Sequence, residues 1–297
     1  MPRKVFDRNK VVAVKPGNSR VTGTEQFYTP PAVAAGVVQK VLLAIPDARD
    51  RPWLEPAGGT GVFVNAFRAA GIVDVTAFDL FPHHPGVVEA NFLSTTVNLK
   101  RAVCVTNPPF GRNNSLSVPF FNHAAKVSDD IVMIIPCSWR KWSVQNRLDR
   151  FFHLLSDEDL IVDYTDAEGV PGSAVGTLRT CVQHWVRRDS LRDLQGAPDH
   201  RVIERCGPEL ADATIVLFGW SCGMVLTEFE RILNSTRMYV RLIHPRALEA
   251  LQVVDYGRFS RNVAYTPALS FKEINFLLNE YLGLSNAMSD KEIVEDA

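Results

Sequence analysis

The sequence predicts an α/β fold: a mostly parallel, doubly wound, Rossmann-like sheet closed by an antiparallel edge hairpin, plus a small C-terminal extension. Three observations predict it. From Trp53 onward, short apolar runs alternate with stretches of helical spacing, the rhythm of βαβ units. A glycine-rich turn, Glu55-Pro56-Ala57-Gly58-Gly59-Thr60-Gly61, follows the first run and opens a helix. An acid, Asp79, then ends the second run, where one βαβ step places a carboxylate for ribose hydroxyls.

The elements follow in order. Pro31 suits a first helical turn, and Val33, Val37, Val38, Val41 and Leu42 recur at helical spacing through Ile45. Next come a strand near Arg51–Glu55, a helix at Val62–Ala70, strands at Val73–Asp79 and Ala102–Thr106, a helix at Val118–Lys126 and a strand at Ile131–Pro136. Helical spacing resumes in Val144, Leu148 and Phe151–Leu155. Strands Leu160–Tyr164 and Leu178–Val186, joined by the loop Thr165–Gly176, form the expected hairpin. Charges, Gly196, Pro198, Gly207 and Pro208 dilute the apolar signal between Asp189 and Asp212, which reads as a connector. Beyond it Ala213–Trp220 reads as a strand, Arg246–Val253 and Phe271–Leu282 as helices, and Ser289–Ala297 as an acidic tail. The division expected is a basic arm at 1–23, one catalytic domain at 24–190, and an extension at 191–297 open to a role in substrate recognition.

Composition excludes several classes. A net charge of -1 excludes a globally basic nucleic-acid binder, so contact with phosphate must come from local patches. The five scattered cysteines include no Cys-x-x-Cys pair, which argues for reduced thiols and against zinc or a disulfide frame. No metal is expected, and His83-His84 reads as an exposed turn. No apolar run approaches the roughly 20 residues that cross a bilayer; the expectation is an intracellular, cytoplasmic protein.

Asn107-Pro108-Pro109-Phe110 ends the apolar run Ala102–Thr106. Two prolines fix φ and remove two backbone donors, so this loop presents carbonyls. An Asn oxygen and a proline-fixed carbonyl together accept two hydrogens from one planar amino group, and a phenylalanine ring offers a stacking face. In the glycine turn, the spacing 58, 59 and 61 misses the dinucleotide pattern. The Glu55 carboxylate beside it repels a pyrophosphate and suits a cationic ligand. Phe27-Tyr28-Thr29-Pro30, ahead of the first helix, reads either as aromatic and hydroxyl surface for a ligand or as a hydrophobic staple.

In this order the segments resemble those of the DNA adenine-N6 methyltransferases that use S-adenosylmethionine, specifically the small phage- or virus-type enzymes with an Asn-Pro-Pro-Phe motif. The resemblance covers residues 24 to 188. It implies a methyltransferase sheet, S-adenosylmethionine as cofactor, and nucleic acid, DNA first, as partner. Phe27, Tyr28, Thr29 and Pro30 match the first cofactor motif; Glu55, Ala57, Gly58, Gly59 and Gly61 match the glycine loop; Asp79, with Leu80, matches the ribose-binding acid. Asn107, Pro108, Pro109 and Phe110 match the catalytic motif. Arg140-Lys141 and Thr180–Trp185 resemble later segments. Asn91-Phe92 departs from the pattern, which often carries an Asp that accepts the cofactor's adenine amine; an Asn oxygen accepts without charge assistance.

The resemblance implies site-specific methyl transfer to the exocyclic N6 of adenine, after the base leaves its stack. Arg112, Arg140, Lys141 and Arg147 are the candidate phosphate contacts, and Gly111–Ser117 a loop that orders over substrate. The same cradle also suits adenine in RNA, cytosine N4 or a protein glutamine amide. A catalytically silent binding module of the same fold is the alternative of another class.

Overall fold

Strands buried on both faces need apolar side chains on both faces, and the central strands obey this alternation residue by residue. The computed structural model describes residues 27–164 and 178–288. The arm at 1–23, the loop at Thr165–Gly176 and the tail at Ser289–Ala297 fall outside those residues. The first elements are helix α1 (Pro31–Ala44), strand β1 (Trp53–Glu55), helix α2 (Val62–Ala69), strands β2 (Val75–Asp79), β3 (Val88–Glu89) and β4 (Ala102–Thr106), and helix α3 (Ser117–Ala124). Strand β5 (Ser128–Pro136), the one-turn helix α4 (Trp142–Gln145), and strands β6 (Phe152–Leu160) and β7 (Thr180–Arg187) follow.

These strands form one seven-stranded sheet in the order β3-β2-β1-β4-β5-β7-β6. The pairs from β3 through β5 are parallel, whereas β7 runs antiparallel to both β5 and β6. This is the doubly wound, Rossmann-like sheet with an antiparallel edge hairpin that the sequence predicts. Ala102, Cys104, Ile131, Met133 and Ile135 pack on one face with Val118 and Phe121 of α3. Val103, Val105, Val132 and Ile134 pack on the other, with Val37, Val38 and Val41 of α1 and Phe63 and Phe67 of α2.

Two expectations are corrected here. Of Phe151–Leu155, expected to be helical, Phe152 to Leu155 belong to β6, and Leu160–Tyr164 is not a strand because β6 ends at Leu160. Pairing with β7 from Phe152 to Leu160 supplies the backbone hydrogen bonds. The apolar side chains that mimicked helical spacing, Leu154 and Leu155, are 37% and 52% exposed on this edge strand. A register shift between Leu154 and Ser156 marks the bulge.

The expected connector holds a strand, β8 (Ile203–Arg205), that the dilute apolar pattern concealed. It joins β9 (Ala213–Val216), β10 (Val225–Leu226) and β11 (Arg237–Leu242) in an antiparallel sheet of order β10-β9-β11-β8. Helices α5 (Ala247–Val253), α6 (Gly257–Ser260) and α7 (Phe271–Leu282) complete the fold. Ile215, Val240, Leu251, Ile274 and Leu278 form their common core, against which Trp142 from α4 packs. A capping box, Ser270 with Glu273, starts α7, and Gly283 at φ 71 ends it.

Candidate functional site

The parallel strands β1, β2 and β4 lie side by side, so the turns that leave their C-terminal ends meet at one edge, where open α/β sheets bind ligands. The glycine turn after β1 is held from within. Ala57 N–H donates to Glu55 Oε1 (2.9 Å), Gly58 N–H to the Phe78 carbonyl (2.8 Å), Gly59 N–H to Asp79 Oδ2 (2.8 Å) and Gly61 N–H to the Gly58 carbonyl (2.7 Å). Four N–H groups that a phosphate would need are therefore already spent, and a phosphate-binding turn is disfavoured. Gly59 and Gly61 have φ of 45° and 76°, backbone that glycine adopts without strain. A Cβ on Gly59 would lie 2.9 Å from the Tyr28 ring, and one on Gly61 2.2 Å from the His84 ring. The missing side chains thus make room for the protein's own rings, a use the sequence pattern did not disclose. His84 is held over the turn by Asn65 Oδ1 and the Gly86 N–H.

Glu55 is fully buried and accepts a 2.5 Å hydrogen bond from the Thr106 hydroxyl. Burial pushes its carboxyl from an ordinary 4.5 to about 8; the bonds from Thr106 and Ala57 offset part of this, and the nearby Asp79 adds to it. Asp79 also accepts from the Phe81 N–H (2.9 Å). Its two oxygens keep further acceptor capacity beyond these two bonds. Leu80 beside it is 53% exposed. A buried acid at the end of β1 and an acceptor-rich acid at the end of β2 fit a ligand with a cationic centre and ribose hydroxyls. Asn91 instead caps a short turn, its Oδ1 accepting from the Leu93 N–H, and Phe92 is 2% exposed within the core.

The turn after β4 carries Asn107. Its Nδ2 donates to the Phe27 carbonyl (2.7 Å) and to Thr29 Oγ1 (3.1 Å). Its Oδ1 is buried and, among the described residues, has no hydrogen-bond partner. Among the described residues, no hydrogen bond reaches the Pro108 carbonyl either. Pro109 is half-buried. Phe110 is 4% exposed, its ring stacked on Phe27 with centroids 5.5 Å apart and planes 23° apart. Beside Phe110 opens a cleft of about 400 Å³, whose walls include Asn113, Ser138, Arg147, Ala264 and Tyr265. The last two come from the segment between α6 and α7, which sequence reasoning did not connect with the site. Gly111, Asn113 and Asn114 all take positive φ, bending the chain sharply after the tetrapeptide.

The four expected phosphate contacts separate. Arg112 is exposed, and Arg147 donates to the Asn113 and Asn114 carbonyls, bracing that bend. Arg140 is gripped by Asp157 and Asp159 of β6, and Lys141 by both oxygens of Glu273 at 2.8 Å and by the Ala268 carbonyl. These two side chains are engaged within the molecule because acids from β6 and α7 fold against them. The buried group Arg51–Asp130–His184, with 2.7 Å contacts on both sides of Asp130, lies at the opposite end of β5. Burial alone would raise Asp130, but hydrogen bonds from His184 and Arg51 outweigh it and hold the carboxyl below its ordinary value. Among the described residues, no cluster of side chains could hold a metal ion, and no helix is long and apolar enough to cross a membrane.

Neither a protein-family model nor a curated protein matches the sequence. Solved structures do resemble the fold. One is a putative RNA methyltransferase, PH1948 from Pyrococcus horikoshii: 14% identity, TM-score 0.45, covering 57% of this chain and 90% of that one. Another is the modification subunit of a putative type I restriction enzyme from Vibrio vulnificus YJ016: 14% identity, TM-score 0.39, covering 88% of this chain and 62% of that one. The 23S rRNA methyltransferase ErmE is similar at 18% identity and TM-score 0.39, over 56% of this chain and 71% of that one. The likeness is one of sheet architecture.

Proposed function

We propose that this chain transfers a methyl group from S-adenosylmethionine to the exocyclic N6 of adenine in DNA. One observation carries the reading: among the described residues, a buried Asn107 Oδ1 without a partner, next to a proline-fixed carbonyl that accepts no hydrogen bond either. A buried polar atom left unpaired costs free energy, and a planar amine would satisfy both acceptors at once. When bound, S-adenosylmethionine supplies the methyl as an electrophile. Glu55, the turn Ala57–Gly61, Asp79 with Leu80, and Phe27–Pro30 would hold it, with Asn91-Phe92 near its adenine end.

Asn107 Oδ1 and the Pro108 carbonyl would accept the two N6 hydrogens and so favour the pyramidal, developing-positive nitrogen of the transition state over the flat ground state; as the nitrogen–methyl bond forms the sulfur–methyl bond breaks, and the surplus N6 proton is then lost to water. Pro109 keeps the turn stiff. The base enters by the cleft beside Phe110, and the Phe27 ring that now covers Phe110 gives way to it. Arg112 and Arg147 are the cations placed to meet phosphate; Arg140 and Lys141 would have to leave their acids first. The C-terminal part, which lends Ala264 and Tyr265 to the cleft, is the candidate reader of sequence.

Incubating the protein with methyl-labelled S-adenosylmethionine and separate pools of duplex DNA, single-stranded DNA, RNA and protein tests this directly. The expected product is N6-methyldeoxyadenosine from a DNA pool. Label recovered instead in RNA, N4-methylcytosine or glutamine amide would replace the acceptor, and no cofactor binding at all would remove the reading.

A further inference from the structure

Phe27–Pro30 is the segment expected to line the cofactor, yet its Phe27 carbonyl and Thr29 hydroxyl turn toward Asn107. Three consecutive residues divide the work. The Phe27 carbonyl and Thr29 Oγ1 take the two hydrogens of Asn107 Nδ2, at 2.7 and 3.1 Å, while the Tyr28 ring packs against Gly59. An unconstrained amide can turn over and exchange its nitrogen with its oxygen, and only the oxygen can accept an amine hydrogen. A backbone carbonyl has no hydrogen to give, so the overturned amide would set Asn107 Oδ1 against the Phe27 oxygen with nothing between them.

Thr29 is the part of this lock that a side chain supplies. It is 5% exposed, and its β-branched side chain is stiff about χ1. The next residue, Pro30, fixes the start of α1 by accepting from the Val33 and Ala34 N–H groups. The hydroxyl is thereby held on a rigid element opposite an amide 78 residues away in sequence. We propose that Thr29 is a positioning residue, which together with the Phe27 carbonyl keeps Asn107 Oδ1 facing the amine to be methylated. The inference rests on the amine-methylating reading above and adds a residue to it.

Thr29→Val keeps the shape and removes the acceptor; Thr29→Ser restores an acceptor, and Thr29→Ala serves if the valine variant does not fold. With one Nδ2 hydrogen left unpaired, kcat on DNA should fall on the order of tenfold or more. The dissociation constant for S-adenosylmethionine, from calorimetry, should stay within about twofold, and Thr29→Ser should recover most of the rate. Protein labelled with 15N-asparagine gives a readout independent of turnover. The side-chain amide pair absent from Asn107→Ala is that of Asn107, and one of its two hydrogens should exchange faster in Thr29→Val.

An unchanged kcat and an unchanged Asn107 amide in Thr29→Val would overturn the positioning role. So would a loss of cofactor affinity that accounts for the whole loss of rate while the amide signals stay put. If Asn107→Ala is inactive and Thr29→Val normal, only the positioning role fails; if Asn107→Ala is fully active, the amine-methylating reading fails with it.

Discussion

Asn107 has an amide whose two ends meet different fates: the nitrogen donates hydrogen bonds to the Phe27 carbonyl and the Thr29 hydroxyl, while the oxygen is buried with no partner among the described residues. Removing one preorganised polar partner of a transition state costs roughly 10²–10³ in rate, so steady-state assays of Asn107→Ala should show a fall of that order with cofactor binding preserved. Glu55 makes a second prediction at this scale. Its folded pKa, about 8, lies above the ordinary 4.5. Between those values the unfolded chain ionises Glu55 while the folded chain keeps its proton. The contribution to stability is therefore full below pH 4.5 and is lost as pH rises through 8. Melting curves of Glu55→Gln against the parent should show a flatter dependence on pH across that window. A cationic ligand beside Glu55 lowers its pKa, so S-adenosylmethionine binding near pH 7 should release a proton, measurable as a buffer-dependent heat.

Elements were legible where their two faces share one environment. Strands β4 and β5 read as continuous apolar runs because both their faces are covered, and α7 read as a helix over the same residues, Phe271–Leu282, that form it. Strand β6 did not, because it is an edge strand whose acids Asp157 and Asp159 serve Arg140 rather than a core. Strands β8 and β10, of three and two residues, are too short to print a period. Lys141 joins elements that sequence kept apart, clamping Glu273 of α7 to the end of β5. Glu273 is 2% exposed, and breaking a buried pair costs about 3–5 kcal/mol. Lys141→Met should lower stability by an amount toward the lower end of that range, read by urea unfolding. Removing only the cap, Ser270→Ala, should cost about 1 kcal/mol.

At the scale of the whole molecule, the tetrapeptide and the glycine turn were legible because each is local, and the predicted sheet brings their strands together. The Phe27 and Thr29 contacts with Asn107, and the contribution of Tyr265 to the cleft, were not, because nothing in one sequence marks pairs that meet only on folding. With Arg140 and Lys141 engaged by acids, Arg112 and Arg147 remain of the four candidate phosphate contacts. Affinity for DNA should then fall gently with salt, with a logarithmic slope of about -2 to -4, as two to four phosphate contacts imply. The most direct measurement is nucleoside analysis of DNA treated side by side with the parent protein and Asn107→Ala in the presence of labelled S-adenosylmethionine. The proposed function predicts labelled N6-methyldeoxyadenosine from the parent and a yield at least a hundredfold lower from the variant; equal yields from both would contradict an amine held by Asn107.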